Sequence, residues 1–180
     1  MGELNPFFAP AVFNLESPVD ERSAMLSLCG KYRYWLFRKW SDAPILRFVL
    51  LNPSTAGPEK DDPTVRKCIG FAKWNGFGGI GIANLFALRA TDPRELVLAL
   101  QAGFDCVGPE GDYHLKCIAG AGDSVVAGWG RMPYDLPAMR ARLDHVRGIL
   151  VGKLLCVKQS QGRPWHPLYV KYGPLVELER

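Results

Sequence analysis

Asn52, Asn84 and His166 are the side chains of this sequence best suited to carry chemistry, and each stands in a stretch that is unusual for its surroundings. The first stretch is Asn52-Pro53-Ser54-Thr55-Ala56. The second is Asn84-Leu85-Phe86, with Arg89 close behind. Trp129-Gly130 forms a third, and Gly162-Arg163-Pro164-Trp165-His166-Pro167-Leu168 a fourth. The amide oxygen of Asn52 is able to orient a water, although an amide is a poor base; Asn-Pro-Ser is equally a good turn sequence. Asn84 offers a donor and an acceptor, the pair needed to read a pyrimidine or purine edge, or equally to satisfy neighbouring backbone at a strand end. His166, held between Pro164 and Pro167, is placed to donate to a base carbonyl or a phosphate in its neutral form, or else to pack on Trp165. The other two histidines, His114 and His145, fall on helices with no partner signal.

Asp61 and Asp62 are the carboxylates nearest to Asn52. Asp62 precedes Pro63 and reads as a helix N-cap, which leaves Asp61 as the candidate general base or charge stabiliser. Glu59, Asp61 and Asp62 together would alternatively hold a magnesium ion, a reading that one acidic cluster supports weakly. Arg89, Arg163 and Lys158 are candidates for phosphate contacts. Lys31, Arg33, Arg38, Lys39 and Arg47, interleaved with Tyr34, Trp35 and Trp40, suit either backbone contacts with base stacking or a solvated face over an aromatic one. Ser54 and Thr55 lack nucleophile-elbow spacing, and Cys156 falls within a strand, so nucleophilic hydrolase chemistry is not expected.

These stretches all follow apolar strands. Residues 46–51 are almost wholly apolar, as in a strand covered on both faces. Residues 79–85, 123–130 and 153–157 read as three more strands. Between them, Asp62-Pro63 and Asp92-Pro93 pair an N-cap with a proline at the first helical position, and further helices are expected over residues 110–119 and 137–151. Aromatic and β-favouring residues on both sides of Cys29-Gly30 read as an antiparallel hairpin over residues 24–40. The expected fold is α/β: a three-layer αβα sandwich with a central four-stranded, mainly parallel sheet and an N-terminal hairpin, in a single domain over residues 1–180. Residues 1–17 read as an extended arm and residues 45–170 as the α/β core. In open α/β sheets the ligand crevice lies beyond the carboxyl ends of the strands. Pro53, Ser54, Asn84, Phe86, Arg89, Trp129, Arg163 and Pro167 are therefore the expected lining of a site in which Asn52, Asp61 and His166 act.

Bulk composition narrows the class without choosing a function. The chain has 180 residues, of which 48% are hydrophobic and 22% charged, fractions that argue against disorder. No apolar run reaches the roughly 20 residues of a membrane span. The first 18 residues carry Glu3, Asn5 and three prolines, with no basic segment before an apolar one, so no signal peptide is expected and the cytoplasm is the expected location. Five scattered cysteines without a C-x-x-C pair favour reduced thiols over a disulfide framework or an ordinary zinc or iron–sulfur site. The net charge of +4 allows an anionic partner such as nucleic acid but does not require one.

Leu51-Asn52-Pro53-Ser54-Thr55-Ala56, Asp61-Asp62-Pro63-Thr64, the run from Asn84 to Pro93, Val107-Gly108-Pro109-Glu110, Trp129-Gly130 and His166-Pro167-Leu168-Tyr169 resemble the motifs of a bacterial and phage family of unknown function, over about residues 29–170. More distantly the pattern resembles the uracil-DNA glycosylase superfamily. In that superfamily one strand ends in a water-placing G-x-[ND]-P loop and a later one in a base-reading Asn. Another carries a W-G pair, and an H-P-[SA] loop closes on the abasic sugar and phosphate. That resemblance implies a water-placing role for Asn52 and Pro53, base reading for Asn84, and closure by His166-Pro167. Two departures stand against it: Leu51 lies near the usual glycine, and Leu168 replaces the small residue after His-Pro. The resulting expectation is a uracil-DNA-glycosylase-like hydrolase of an N-glycosidic bond in nucleic acid or a nucleotide, with no metal or other cofactor. The alternative is a non-catalytic nucleotide or nucleic-acid binding module of the same fold.

Overall fold

Alternation along the apolar strands decides the architecture. In the computed structural model, which describes residues 21–120, 125–132, 135–150 and 152–179, Leu46, Phe48 and Leu50 join one buried cluster while Val49 joins another. Ile80 and Ile82 follow the first group and Ala83 the second; Val126 follows the first, Val125 and Ala127 the second. A strand buried on both faces shows this period of two in its contacts even where its composition is uniformly apolar.

In chain order the elements are β1 (Arg22–Leu26), β2 (Arg33–Lys39), β3 (Ile45–Leu50), α1 (Pro63–Trp74), β4 (Gly79–Asn84), α2 (Pro93–Gln101), α3 (Gly111–Gly120), β5 (Val125–Ala127), α4 (Pro137–Ile149), β6 (Leu154–Cys156), β7 (Gln159–Ser160), β8 (Arg163–Pro164) and β9 (Val176–Glu177), with one 3-10 turn at Pro167–Tyr169. Among the described residues the protein is mixed α/β, with four helices and a mainly parallel central sheet. That sheet is seven-stranded, in the order β1-β2-β4-β3-β5-β6-β9, and so larger than the four strands expected. The four expected strands, β4-β3-β5-β6, are its parallel middle. β1 and β2 pair antiparallel, and β2 pairs with β4, so this pair extends the sheet itself. β9 closes the opposite edge against β6. The expected arm over residues 1–17 lies outside the described residues.

The Asp-Pro openings act as the sequence suggests. Asp62 accepts from Val65 N at 2.8 Å and Asp92 from Arg94 N at 2.9 Å, each before a proline at the first turn. Such caps are worth about 1 kcal/mol each. Helix α1 buries Val65, Cys68, Phe71 and Ala72 against Leu46, Phe48, Ile80 and Ile82. Leu96 of α2, Leu115 and Ile118 of α3, and Met139 and Val146 of α4 belong to the cluster of Val49, Ala83 and Ala127. On the order of 2 kcal/mol for each fully buried large side chain holds these helices on the sheet.

Candidate functional site at the carboxyl edge of the parallel strands

The chain passes from β3 to β4 on one side and reaches β5 on the other, so the loops leaving β3 and β5 part company at the carboxyl edge. Crevices form where strand order reverses in this way. Backbone bonds tie the loops together there: Leu85 N donates to Leu50 O at 2.8 Å, Phe86 N to Leu51 O at 3.0 Å, and Ala90 N to Pro53 O at 2.9 Å. The fourth loop docks on two glycines. A Cβ on Gly128 would lie 3.0 Å from Pro167 Cδ, and one on Gly130 would lie 2.9 Å from His166 Cβ. The structure therefore brings Asn52, Asn84, Gly130 and His166 to one edge.

Asn52 is half-buried, and its Nδ2 donates to Ala90 O at 2.9 Å and to Pro53 O at 3.2 Å. Both amide hydrogens are spent on backbone, which fixes the amide plane and leaves Oδ1 as the group free to accept. Pro53 is buried beneath it, and Ser54 is half-buried.

Asn84 is 5% exposed at the end of β4. Its Oδ1 accepts from Arg33 Nη2 at 3.2 Å, while its Nδ2 is buried and has no hydrogen-bond partner. The acceptor half of the expected donor–acceptor pair is thus engaged, and the donor half is open. Arg33 is absent from the expected site and owes its place to a β-bulge. The β1–β2 register runs Met25 to Trp35 and then Leu26 to Arg33, so Tyr34 is an extra residue in β2. Tyr34 stacks on His114 of α3 with ring centroids 5.0 Å apart, and Trp35 packs in the same cluster as Tyr34. Two successive residues on one face reverse the alternation, and Arg33 emerges beside Asn84. It is 2% exposed, gives Nη1 to Ala56 O at 3.3 Å, and leaves Nε without a partner. Burial pulls its guanidinium down to about 10, against the opposing charge of Asp62.

His166 accepts from Leu168 N through Nδ1 at 3.3 Å, capping the Pro167–Tyr169 turn. That bond puts the imidazole proton on Nε2. Burial lowers the pKa of this histidine from its ordinary value, with Asp62 opposing, so the ring is neutral near pH 7. The ring lies against Tyr169 at 5.9 Å; Trp165, the expected packing partner, instead takes Lys158 over its face at 4.2 Å.

Asp62 keeps its expected capping role, whereas Asp61 is engaged elsewhere. Asp61 accepts from Arg38 Nε at 3.0 Å and Nη2 at 2.9 Å, and pairs with Arg22 Nη2 at 3.0 Å, so both of its oxygens are engaged by guanidinium groups. Asp62 is buried, uses Oδ1 to cap α1, and its charge acts on both Arg33 and His166. Among the described residues no group of three or more His, Cys, Asp or Glu side chains is arranged to hold a metal ion, Glu59, Asp61 and Asp62 included.

Other expected lining residues fall differently. Phe86 at 1% and Trp129 at 2% exposure are packed in the core and present no ring face to a ligand. Pro167 is buried on Gly128. Arg89 donates Nη1 to Gly30 O at 3.1 Å, while its Nε is buried and unpartnered. Arg163 is exposed on the β7–β8 ribbon. Of the basic hairpin residues, Arg33, Arg38 and Lys39 are buried, Lys39 pairing with Asp42 at 3.1 Å, while Lys31 is exposed. His145 bonds Asp112 at 2.8 Å.

Fold and site together define an α/β protein with polar side chains gathered at the carboxyl edge of its parallel strands. Residues 33–168 match the family described as "Protein of unknown function (DUF1643)", and the chain belongs to that family. No curated protein and no solved structure matches the chain. No helix among the described residues is long and apolar enough to cross a membrane.

Proposed function

We propose that this protein takes a nucleobase, in nucleic acid or a nucleotide, into the crevice between Asn52, Asn84 and His166 and hydrolyses its N-glycosidic bond. The observation that carries the reading is the buried Nδ2 of Asn84, a donor that no described residue partners. On this reading a carbonyl of the base accepts from Asn84 Nδ2, and neutral His166 donates from Nε2. The glycosidic bond breaks with its electron pair on the base, giving an oxocarbenium-like sugar. A water accepted by Asn52 Oδ1 adds to the anomeric carbon, and its proton passes to the departing base or to Asp62. The same reading takes α1 as one layer over the sheet and α2, α3 and α4 as the other, within one domain, and places the protein in the cytoplasm.

A second reading, a binding module of the same fold without turnover, is favoured by one observation: Asp61 is held by two arginines. One experiment separates them. The pure protein is incubated with EDTA and oligonucleotides carrying varied modified bases, and free base is measured. Release that vanishes in Asn52→Ala supports hydrolysis. Binding without release across the panel supports the module, and activity only with added magnesium overturns both.

A further inference from the structure

Arg33 carries a positive charge into the interior with no ion pair among the described residues. Its side chain is 2% exposed, and its hydrogen bonds go to two neutral oxygens, Ala56 O and Asn84 Oδ1. Asp62 acts on it through space, whereas the charges of Arg89 and Arg38 act in the opposite sense, and Arg38 is already matched by Asp61. Around it, Arg33 Nε, Asn84 Nδ2 and Arg89 Nε are all buried and unpartnered. The three belong to one neighbourhood: Arg33 N donates to Ala87 O and Arg89 N to Lys31 O, pairing residues 31–33 with the segment after β4, and the charge of Arg89 acts on Arg33. Every orphan is an N–H, and two of the three sit on cations. Buried donors are almost always satisfied, and a buried charge without a partner is more costly still, so this arrangement points to a group that brings both acceptors and negative charge.

We propose that Arg33 is the counter-charge for an anionic oxygen of the ligand, delivered past Arg89 to the Asn84 end of β4. The same guanidinium holds the Asn84 amide oxygen and so turns its NH2 group toward that oxygen. The chemistry is that of an oxyanion, supplied by a phosphate of the ligand or by an exocyclic oxygen of a base that carries negative charge. The inference shares the site of the function proposed above but stands on charge and not on turnover.

The test titrates the full, isotope-labelled chain with charged and neutral counterparts: inorganic phosphate and uridine monophosphate against uridine, and barbiturate against uracil. The Nε–H resonances of Arg33 and Arg89, assigned with Arg33→Lys and Arg89→Lys, report contact directly. At least one anionic probe should bind about tenfold or more tighter than its neutral counterpart, the scale of a charge-assisted hydrogen bond. It should also move the Arg33 Nε–H signal, and Arg33→Met should abolish the preference. Preference for the phosphate probes alone assigns the oxygen to phosphate; preference for barbiturate alone assigns it to the base ring. Equal binding of charged and neutral probes, no binding of any probe, a still Arg33 signal, or a preference that survives Arg33→Met overturns the proposal. Should Arg33→Met fail to fold, the wild-type resonances decide. Charge-selective binding without base release would keep this inference and sink hydrolysis.

Discussion

Arg33 and Asn84, 51 residues apart in the chain, meet with a guanidinium Nη2 on an amide Oδ1 at 3.2 Å. An isolated amide turns either way to suit its surroundings. Here the cation admits only the oxygen, so the NH2 group faces away from Arg33 and arrives at the carboxyl edge of β4 as a fixed donor. A strand end and a bulge, neither functional by itself, combine into an oriented polar group.

Asn84→Ala removes that donor and also strands Arg33 Nη2. A buried donor left unmade costs about 1–3 kcal/mol, so the variant should unfold at lower urea concentration by that amount and lose ligand binding even where fully folded. Unchanged affinity in the folded variant would remove Asn84 from the site.

Asn52→Ala should leave most of the stability in place, because the side chain is half-buried and its bonds to Ala90 O and Pro53 O hold a loop and not the core. Its effect falls on the water. Loss of the oriented acceptor should lower base release by about a hundredfold, the low end of what a positioned group contributes to proton-coupled attack. A rate within the error of wild type would show that another group places the water.

Asp61→Asn separates a structural carboxylate from a catalytic one. Arg38 is 2% exposed and its charge is matched by Asp61, so removing the partner charge should cost about 3 kcal/mol in a denaturant titration. Base release at a temperature where the variant is folded should be unchanged. A folded, stable and inactive variant would return Asp61 to the role of general base.

Where local chemistry determines an element, the sequence was readable. Asp62-Pro63 and Asp92-Pro93 mark helix starts because cap and proline act within one turn, and both caps are made. The breaks after β3, at Asn84 and after β5 were legible for the same reason, as polar or glycine-bearing residues after apolar runs, although β5 stops at Ala127, short of the expected end at residue 130. Position identified Asp62 as the cap but could not show that Asp61 is engaged by arginines. Arg38, which claims Asp61, lies 23 residues upstream on another strand. Arg33 was hidden by strict alternation, because only the pairing register reveals Tyr34 as an extra residue. Phe86 and Trp129 follow strands and looked like lining, yet packing with Leu96 and Met139 draws both inward. β7, β8 and β9 have two residues each, too short to carry any periodicity.

Gly130→Ala tests the docking of the His166 loop. Gly130 has φ +70°, a conformation costly for alanine, and its new Cβ would lie 2.9 Å from His166 Cβ. The variant should lose about 1–2 kcal/mol of stability and, more tellingly, the His166 contribution to base release. Retained activity alongside the stability loss would show that the loop moves without consequence for the ligand.

His166 should set an acid limit on both stability and activity. Its folded pKa lies below the ordinary value of 6.5 because burial disfavours the imidazolium. Protonation would place a hydrogen on Nδ1, facing the Leu168 N–H that it now accepts, and the cap of the 3-10 turn would fail. Between the folded and the unfolded value the unfolded chain binds more protons, so stability rises with pH in that window. It is therefore complete above about pH 6.5 and is lost progressively as pH falls below it. Buried His114, its pKa also lowered by burial, contributes in the same sense. His166→Gln should accordingly flatten, without abolishing, the loss of stability between about pH 7 and about pH 5, and adding His114→Gln should flatten it further. The acid limb of base release in the wild type should fall below pH 6.5 and be absent from the residual activity of His166→Gln. An acid limb unchanged in that variant would assign the titration to another group, and a stability profile equally steep in both proteins would show that burial does not hold His166 neutral.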